Sequence, residues 1–144
     1  MILKIILLIS LAWVIFNISM LIIPPRTIGA YSRLSRVYIP KEYYWTLTKP
    51  ELLAIFYHEL GHITHAHAIK NCIKAIFFIK RKEGEIIKQE CEADDFAITF
   101  GLQQSDAGRI NANDLITALM KTMQKDTMKL TMYRISRLKS LEAT

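Results

Sequence analysis

At 144 residues, 51% of them hydrophobic, the chain has room for one small domain and one apolar segment, not for two independent cores. Its net charge of +6 comes with no nucleic-acid-binding motif and no aromatic-interleaved basic stripe, which points to a membrane surface and away from RNA or DNA as partner. The two cysteines, Cys72 and Cys91, form no CxxC pair; this argues against a cysteine-built zinc site and suits a reducing compartment.

Residues 5–23 are apolar apart from Ser10, Asn17 and Ser19. As a helix they reach about 28 Å, close to the hydrocarbon thickness of a bilayer. Pro24 and Pro25 stop that helix, because proline cannot continue the backbone ladder. The segment 1–25 is therefore expected to be a transmembrane anchor. The competing signal-peptide reading lacks an A-x-A-like cleavage site, and a buried core helix is the remaining alternative. Lys4 precedes the span, whereas Arg26, Arg33, Arg36 and Lys41 follow it. The excess of basic residues after the span predicts a domain, 26–144, on the cytoplasmic side.

Residues 24–33 read as a linker. Residues 34–39 carry β-branched and aromatic side chains up to Pro40 and predict a short edge strand. Thr48-Lys49-Pro50-Glu51 opens a helix, with Thr48 as cap and Glu51 closing a capping box. That helix is expected to run to about Lys70, with Leu52, Leu53, Phe56, Leu60 and Ile63 on its apolar face. Residues 72–79 are too short to span a bilayer; a continued helix, a strand and an interfacial dip all fit them. A turn at 81–84 leads into a helix over about 85–100, with Gly101 just past its end. A loop, 103–111, precedes a third helix capped by Asn113 or Asp114, and 127–141 reads as a basic helix. The class is α+β, mainly helical, with a short sheet following the apolar N-terminal helix.

His58-Glu59-Leu60-Gly61-His62 is an HExxH motif inside the capped helix. Histidines four apart share a helix face and can bind one zinc ion. Glu59 projects about 100° from His58, beside the metal, where a carboxylate can take a proton from bound water and give it to a leaving amine. A shuffled chain of this composition would hold the pattern roughly 0.006 times. His65 lies about 10.5 Å along a straight helix from His58, too far to share the ion. His67 points off the stripe, so both histidines read as surface or supporting groups. A catalytic zinc needs a third protein ligand. Gln89-Glu90-Cys91-Glu92-Ala93-Asp94-Asp95 offers one. Glu90 and Asp94 share a face: Glu90 would complete a two-histidine, one-glutamate site, and Asp94 would hold the free ring nitrogen of a ligating histidine. Glu92 points roughly opposite. Taken alone, the stretch is equally an acidic solvated face.

These residues resemble the HtpX and CAAX-prenyl-protease family of membrane zinc peptidases and its small soluble minigluzincin relatives. The likeness rests on His58-Glu59-Leu60-Gly61-His62 with Glu90-x-Glu92-Ala93-Asp94, and extends to Thr48-x-x-Glu51-Leu52, His67 and the helix from Asp114 to Lys121. It implies a small gluzincin domain with zinc on His58, His62 and Glu90, catalysis by Glu59, and Asp94 behind a histidine. It also implies a substrate-binding edge strand, for which 34–39 is the match; an extended peptide would pair with it through backbone hydrogen bonds. Arg134-Ile135-Ser136-Arg137-Leu138 is similar to the family's closing segment, but Met128 stands where relatives often carry an oxyanion-stabilising histidine. Tyr133, Arg134 and Arg137 are the candidates to replace it.

The sequence thus predicts a membrane-anchored zinc metalloendopeptidase acting on a protein or peptide at the cytoplasmic membrane face. Its rivals are a non-catalytic, zinc-stabilised membrane adaptor, and a metalloenzyme acting on something other than peptide.

Overall fold

A computed structural model describes residues 2–22, 29–124 and 127–142, with side chains over 5–19, 29–124 and 127–141. The described residues form seven helices and one two-stranded sheet: α1 (Ile2–Ile22), β1 (Tyr31–Arg33), β2 (Arg36–Tyr38), α2 (Tyr43–Thr46), α3 (Lys49–Thr64), α4 (His67–Ile76), α5 (Glu83–Leu102), α6 (Ala112–Thr122) and α7 (Met128–Glu142). Pro24, Pro25, Arg26 and the expected domain boundary lie outside the described residues.

Among the described residues no helix is long and apolar enough to cross a membrane. The stretch 1–25 that the sequence marks as an anchor is described over 2–22, as α1. One side of α1 lies on α4. Trp13 stacks on Phe78 with ring centroids 4.9 Å apart and donates from Nε1 to the Ile76 carbonyl at 3.3 Å. Leu7, Leu8 and Ile9 are exposed.

The expected strand at 34–39 is a hairpin instead. β1 and β2 pair antiparallel, with Ser32 opposite Val37, and Leu34-Ser35 form the turn between them. Leu34 takes φ 47°, a conformation for which Leu gives no sequence signal, so the first two residues of the expected strand form a turn, 36–38 remain a strand as β2, and part of the expected linker became β1.

The capping box at the start of α3 forms: Glu51 Oε2 accepts from the Thr48 amide at 2.8 Å. The helix then stops early, at Thr64. Ala66 adopts φ 54°, and the chain restarts as α4 in a new direction. Residues 72–76 continue α4 as helix. α5 runs two residues past the expected end and contains Gly101. A Cβ there would sit 2.1 Å from Ile110 Cγ1, so Gly101 is kept small by packing and is not a terminating cap. α6 starts earlier than expected: its cap is Asn111, two residues before Asn113 and three before Asp114, and Asn111 and Asp114 form a reciprocal capping box.

α3 packs most extensively on α5, and α6 and α7 close the same core. Ala54, Tyr57, Ala97, Ile110, Leu115, Leu119, Ile135 and Leu138 form its centre. Leu115 and Leu138 have no exposed surface, each worth about 1.5–3 kcal/mol of apolar burial. Tyr57 donates to the Gly108 carbonyl at 3.0 Å and ties the α5–α6 loop to α3. Gly61 allows the α3–α5 approach, since a Cβ on it would lie 2.9 Å from Ala93 Cα. That approach brings the acidic face of α5 against the histidine face of α3.

Candidate metal centre and active site

The structure gathers the sequence-predicted residues into one cleft of about 640 Å³. α3 contributes His58, Glu59 and His62, α5 contributes Glu90, and α7 contributes Arg134 and Thr131. Ala30, Tyr31 and Ser32 form the opposite wall.

His58 Nε2 lies 3.1 Å from His62 Nε2, 3.5 Å from Glu90 Oε2, and His62 Nε2 lies 3.6 Å from Glu90 Oε1. Ligands bound at ~2.0–2.2 Å to a tetrahedral zinc stand ~3.3–3.5 Å apart. The two imidazoles and one carboxylate therefore fit a single ion, and the three residues could hold a metal. The three groups are partly buried, and the Glu90 carboxylate among them supplies negative charge that favours a cation.

The candidate ligands are held from behind. Asp94, with no exposed surface, lies 2.9 Å from His58 Nδ1 and leaves His58 Nε2 facing Glu90. Arg134 clamps Asp94 and Glu90 of α5. It donates to Asp94 from Nε at 2.9 Å and from an Nη at 2.6 Å, and its other Nη lies 2.9 Å from Glu90 Oε2. This bidentate geometry is among the stronger hydrogen-bonded ion pairs.

Burial and the nearby Arg134 charge press the His58 pKa down, but hydrogen bonds to Asp94 and Glu90 outweigh them and raise it to about 9. His62 is pushed down to about 3, first by burial and then by the His58 charge, which keeps it neutral and able to donate a lone pair. Burial would raise Glu90, yet the His58 hydrogen bond and charge, with Arg134 and His62, hold it well below the usual carboxylate range. Asp94 is likewise lowered: burial opposes, and Arg134 and His58 prevail. Glu59 differs in sign. Burial lifts its pKa, the Glu90 charge adds to this, and His58, a Ser32 hydrogen bond and Arg134 only partly offset them. A buried carboxylate of raised basicity beside two imidazoles suits a proton acceptor.

His65 caps α3, its Nδ1 2.9 Å from the Gly61 carbonyl, and stands away from the ligand triangle. His67 was expected off the stripe, and on a straight helix it would be. The left-handed Ala66 turns the chain back, so His67 is buried with Nδ1 2.7 Å from His62 Nδ1 and Nε2 3.0 Å from Glu92 Oε2. Met128 is half exposed and does not line the cleft. Tyr133 is exposed and Arg137 pairs with Asp95 at 2.6 Å, leaving Arg134 as the one replacement candidate in the cleft wall. The strand bordering the cleft is β1, not the expected 34–39 segment. Sequence reasoning missed the Arg134 clamp and the His62–His67 contact, because neither a partner forty residues distant nor an alanine in the left-handed region leaves a local signal.

No curated protein and no solved structure matches the chain. A family model described as Peptidase U49 matches residues 52–131, from the first turn of α3 into α7. The matched stretch takes in His58, Glu59, His62, Glu90 and Asp94 and covers more than half of the sequence, so the chain belongs to the peptidase U49 family.

Proposed function

We propose that this peptidase is a zinc-dependent metalloendopeptidase, gluzincin-like and similar to the HtpX and CAAX-prenyl-protease enzymes. The observation that carries the reading is the ligand triangle of His58, His62 and Glu90 with Glu59 buried beside it. Zinc, when held by those three residues, supplies an acidified water and a Lewis acid for the peptide carbonyl. The chain's own residues do the rest. β1 borders the cleft and offers a strand along which an extended peptide can pair. Glu59, hydrogen-bonded by Ser32, accepts a proton as the nucleophile attacks and returns it to the departing amine. Arg134, fixed by Asp94, provides cationic character on the wall where the oxyanion develops. Asp94 and Arg134 together keep Glu90 and His58 in place.

The same reading assigns residues 1–25 to a membrane anchor and 26–144 to a cytoplasmic peptidase domain. Support comes from the exposed apolar side chains Leu7, Leu8, Ile9, Phe77 and Phe78, and from Lys80, Arg81 and Lys82 next to them. A reporter fused after Thr144 is expected to report cytoplasm; a signal from the other side of the membrane reverses the assignment.

Glu59→Gln tests the enzyme against the adaptor reading. It preserves size and polarity and removes no proposed ligand, so folding and zinc content should persist while proteolysis falls about 10²–10⁴-fold. A cellular phenotype that survives Glu59→Gln but is lost with His58→Ala, in folded protein, defeats the enzyme and establishes the adaptor.

A further inference from the structure

Behind the ligand triangle lies a second polar chain that the proposed mechanism does not use. It runs from His62 through His67 to Glu92, with Nδ1–Nδ1 2.7 Å and Nε2–Oε2 3.0 Å. His67 is 2% exposed and stacks against His65, with ring centroids 5.4 Å apart. Glu92 is partly exposed and lies 3.7 Å from Lys88.

The hydrogen-bond roles along this chain follow from its far end. An ionised carboxylate only accepts, so His67 Nε2 must carry a proton and donate to Glu92. A neutral imidazole protonated on Nε2 has its lone pair on Nδ1. His67 Nδ1 must then accept, and His62 Nδ1 must donate to it. Neutral His62 is left with its lone pair on Nε2, the atom facing Glu90 and His58. The geometry points to His67 and Glu92 as positioning residues that fix the tautomer and ring orientation of His62 for metal binding. They do for His62 what Asp94 does for His58. The left-handed turn at Ala66 is the backbone device that makes this possible, since α4 would otherwise carry His67 away from the site.

This inference rests on the metal reading above, so its test must separate the two. Zinc affinity of the full chain in detergent micelles is measured by competition with a chromophoric chelator, beside the melting temperature of the metal-free protein. Glu92→Gln is the informative variant. Its amide can still bond His67 but can present either a donor or an acceptor, so the contact survives and its direction does not. His67→Phe keeps the ring volume and removes both nitrogens. Each change is expected to weaken zinc binding about 10–100-fold, with little further loss in the double variant and an unchanged metal-free melting temperature for Glu92→Gln. Nitrogen-15 imidazole spectra of the metal-free wild type should place the His62 proton on Nδ1, and those of Glu92→Gln should show a tautomer mixture. Wild-type affinity in both variants, or a His62 proton on Nε2 in the wild type, overturns the inference. Failure of the wild type itself to bind zinc overturns the metal reading and this inference with it, whereas zinc binding that ignores both substitutions defeats the positioning role alone.

Discussion

Adding one methyl group at Gly61 sets helix propensity against packing, and the structure says which prevails. Gly61 lies in the α3 interior, where alanine is favoured over glycine by about 1 kcal/mol. The added Cβ would stand 2.9 Å from Ala93 Cα, 3.0 Å from Ala93 O and 3.1 Å from Phe96 Cβ. Carbon pairs rest at ~3.5–4.0 Å, so the two helices must part by about 0.5 Å or more. Two of the three obstacles are backbone, and no rotamer change relieves them. Overpacking of this kind costs about 1–3 kcal/mol, and a backbone collision belongs at the upper end, leaving a net loss of about 1–2 kcal/mol. The same displacement carries Glu90 away from His58 and His62, whose present separations of 3.5 and 3.6 Å suit one ion. Sites of this kind tolerate about 0.5 Å of misplacement, so zinc affinity should fall by about tenfold or more. Gly84→Ala is the matched control. It adds the same methyl in the first turn of α5 with nothing within 4 Å, and should gain up to about 1 kcal/mol from propensity alone. Urea denaturation and chelator competition on both variants give the comparison. A Gly61→Ala protein as stable and as zinc-avid as Gly84→Ala would refute the argument that α3–α5 contact sets the site.

Asp94→Asn removes one of the two carboxylates opposing buried Arg134 and should lower stability by about 3 kcal/mol in urea denaturation, far more than Asp95→Asn at the exposed pair with Arg137. Ala66→Gly relieves the left-handed backbone at φ 54° and should leave stability level or raise it by up to about 1 kcal/mol, whereas Ala66→Val should lower the melting temperature. Glu51 tests pH linkage. Burial raises its pKa, but hydrogen bonds from Lys121 and from the Thr48 amide bring it below the ordinary glutamate value. A depressed folded-state pKa means that this stabilisation is present above the unfolded value and is lost as pH falls through the folded one. Glu51→Gln should therefore cost about 1–2 kcal/mol at neutral pH and flatten the acid limb of the stability profile, read by thermal melts from neutral to acid pH.

What the sequence made legible was local and periodic. The α3 cap depends on residues three apart, and the His58/His62 and Glu90/Asp94 pairings depend on residues four apart, so helix geometry alone places each pair on one face. What stayed hidden was set by tertiary packing. Leu34 and Ala66 take left-handed conformations without glycine, and the first created a hairpin while the second ended α3 and redirected His67. Gly101 reads as a helix terminator, yet Ile110 lying against it is reason enough for glycine inside a continuing helix. The Arg134–Asp94 pair joins two helices across forty residues, a contact no window of the sequence contains. The β1 wall of the cleft was displaced from the expected 34–39 for the same reason as the hairpin: the turn fell where a strand had been expected.

The buried charges of α5 and α7 are costly on their own terms. Taking Arg134, Asp94 and Glu90 out of water costs several kcal/mol per ion, and a well-packed apolar trio in their place would often be as stable or more so. Stability is therefore a poor account of why these groups share one cleft. Their geometry suggests a better one. Arg134 ties Glu90 and Asp94, one turn apart on α5, together, and Asp94 faces the rear nitrogen of His58 while Glu90 faces its front. His67 does the equivalent for the rear of His62. His58, His62 and Glu90 are thus each engaged by a neighbour standing outside the triangle. A cleft in which Asp94, Arg134 and His67 each hold one of three inward-facing groups is organised around what those groups hold, and the desolvation cost is spread over the residues that keep them there.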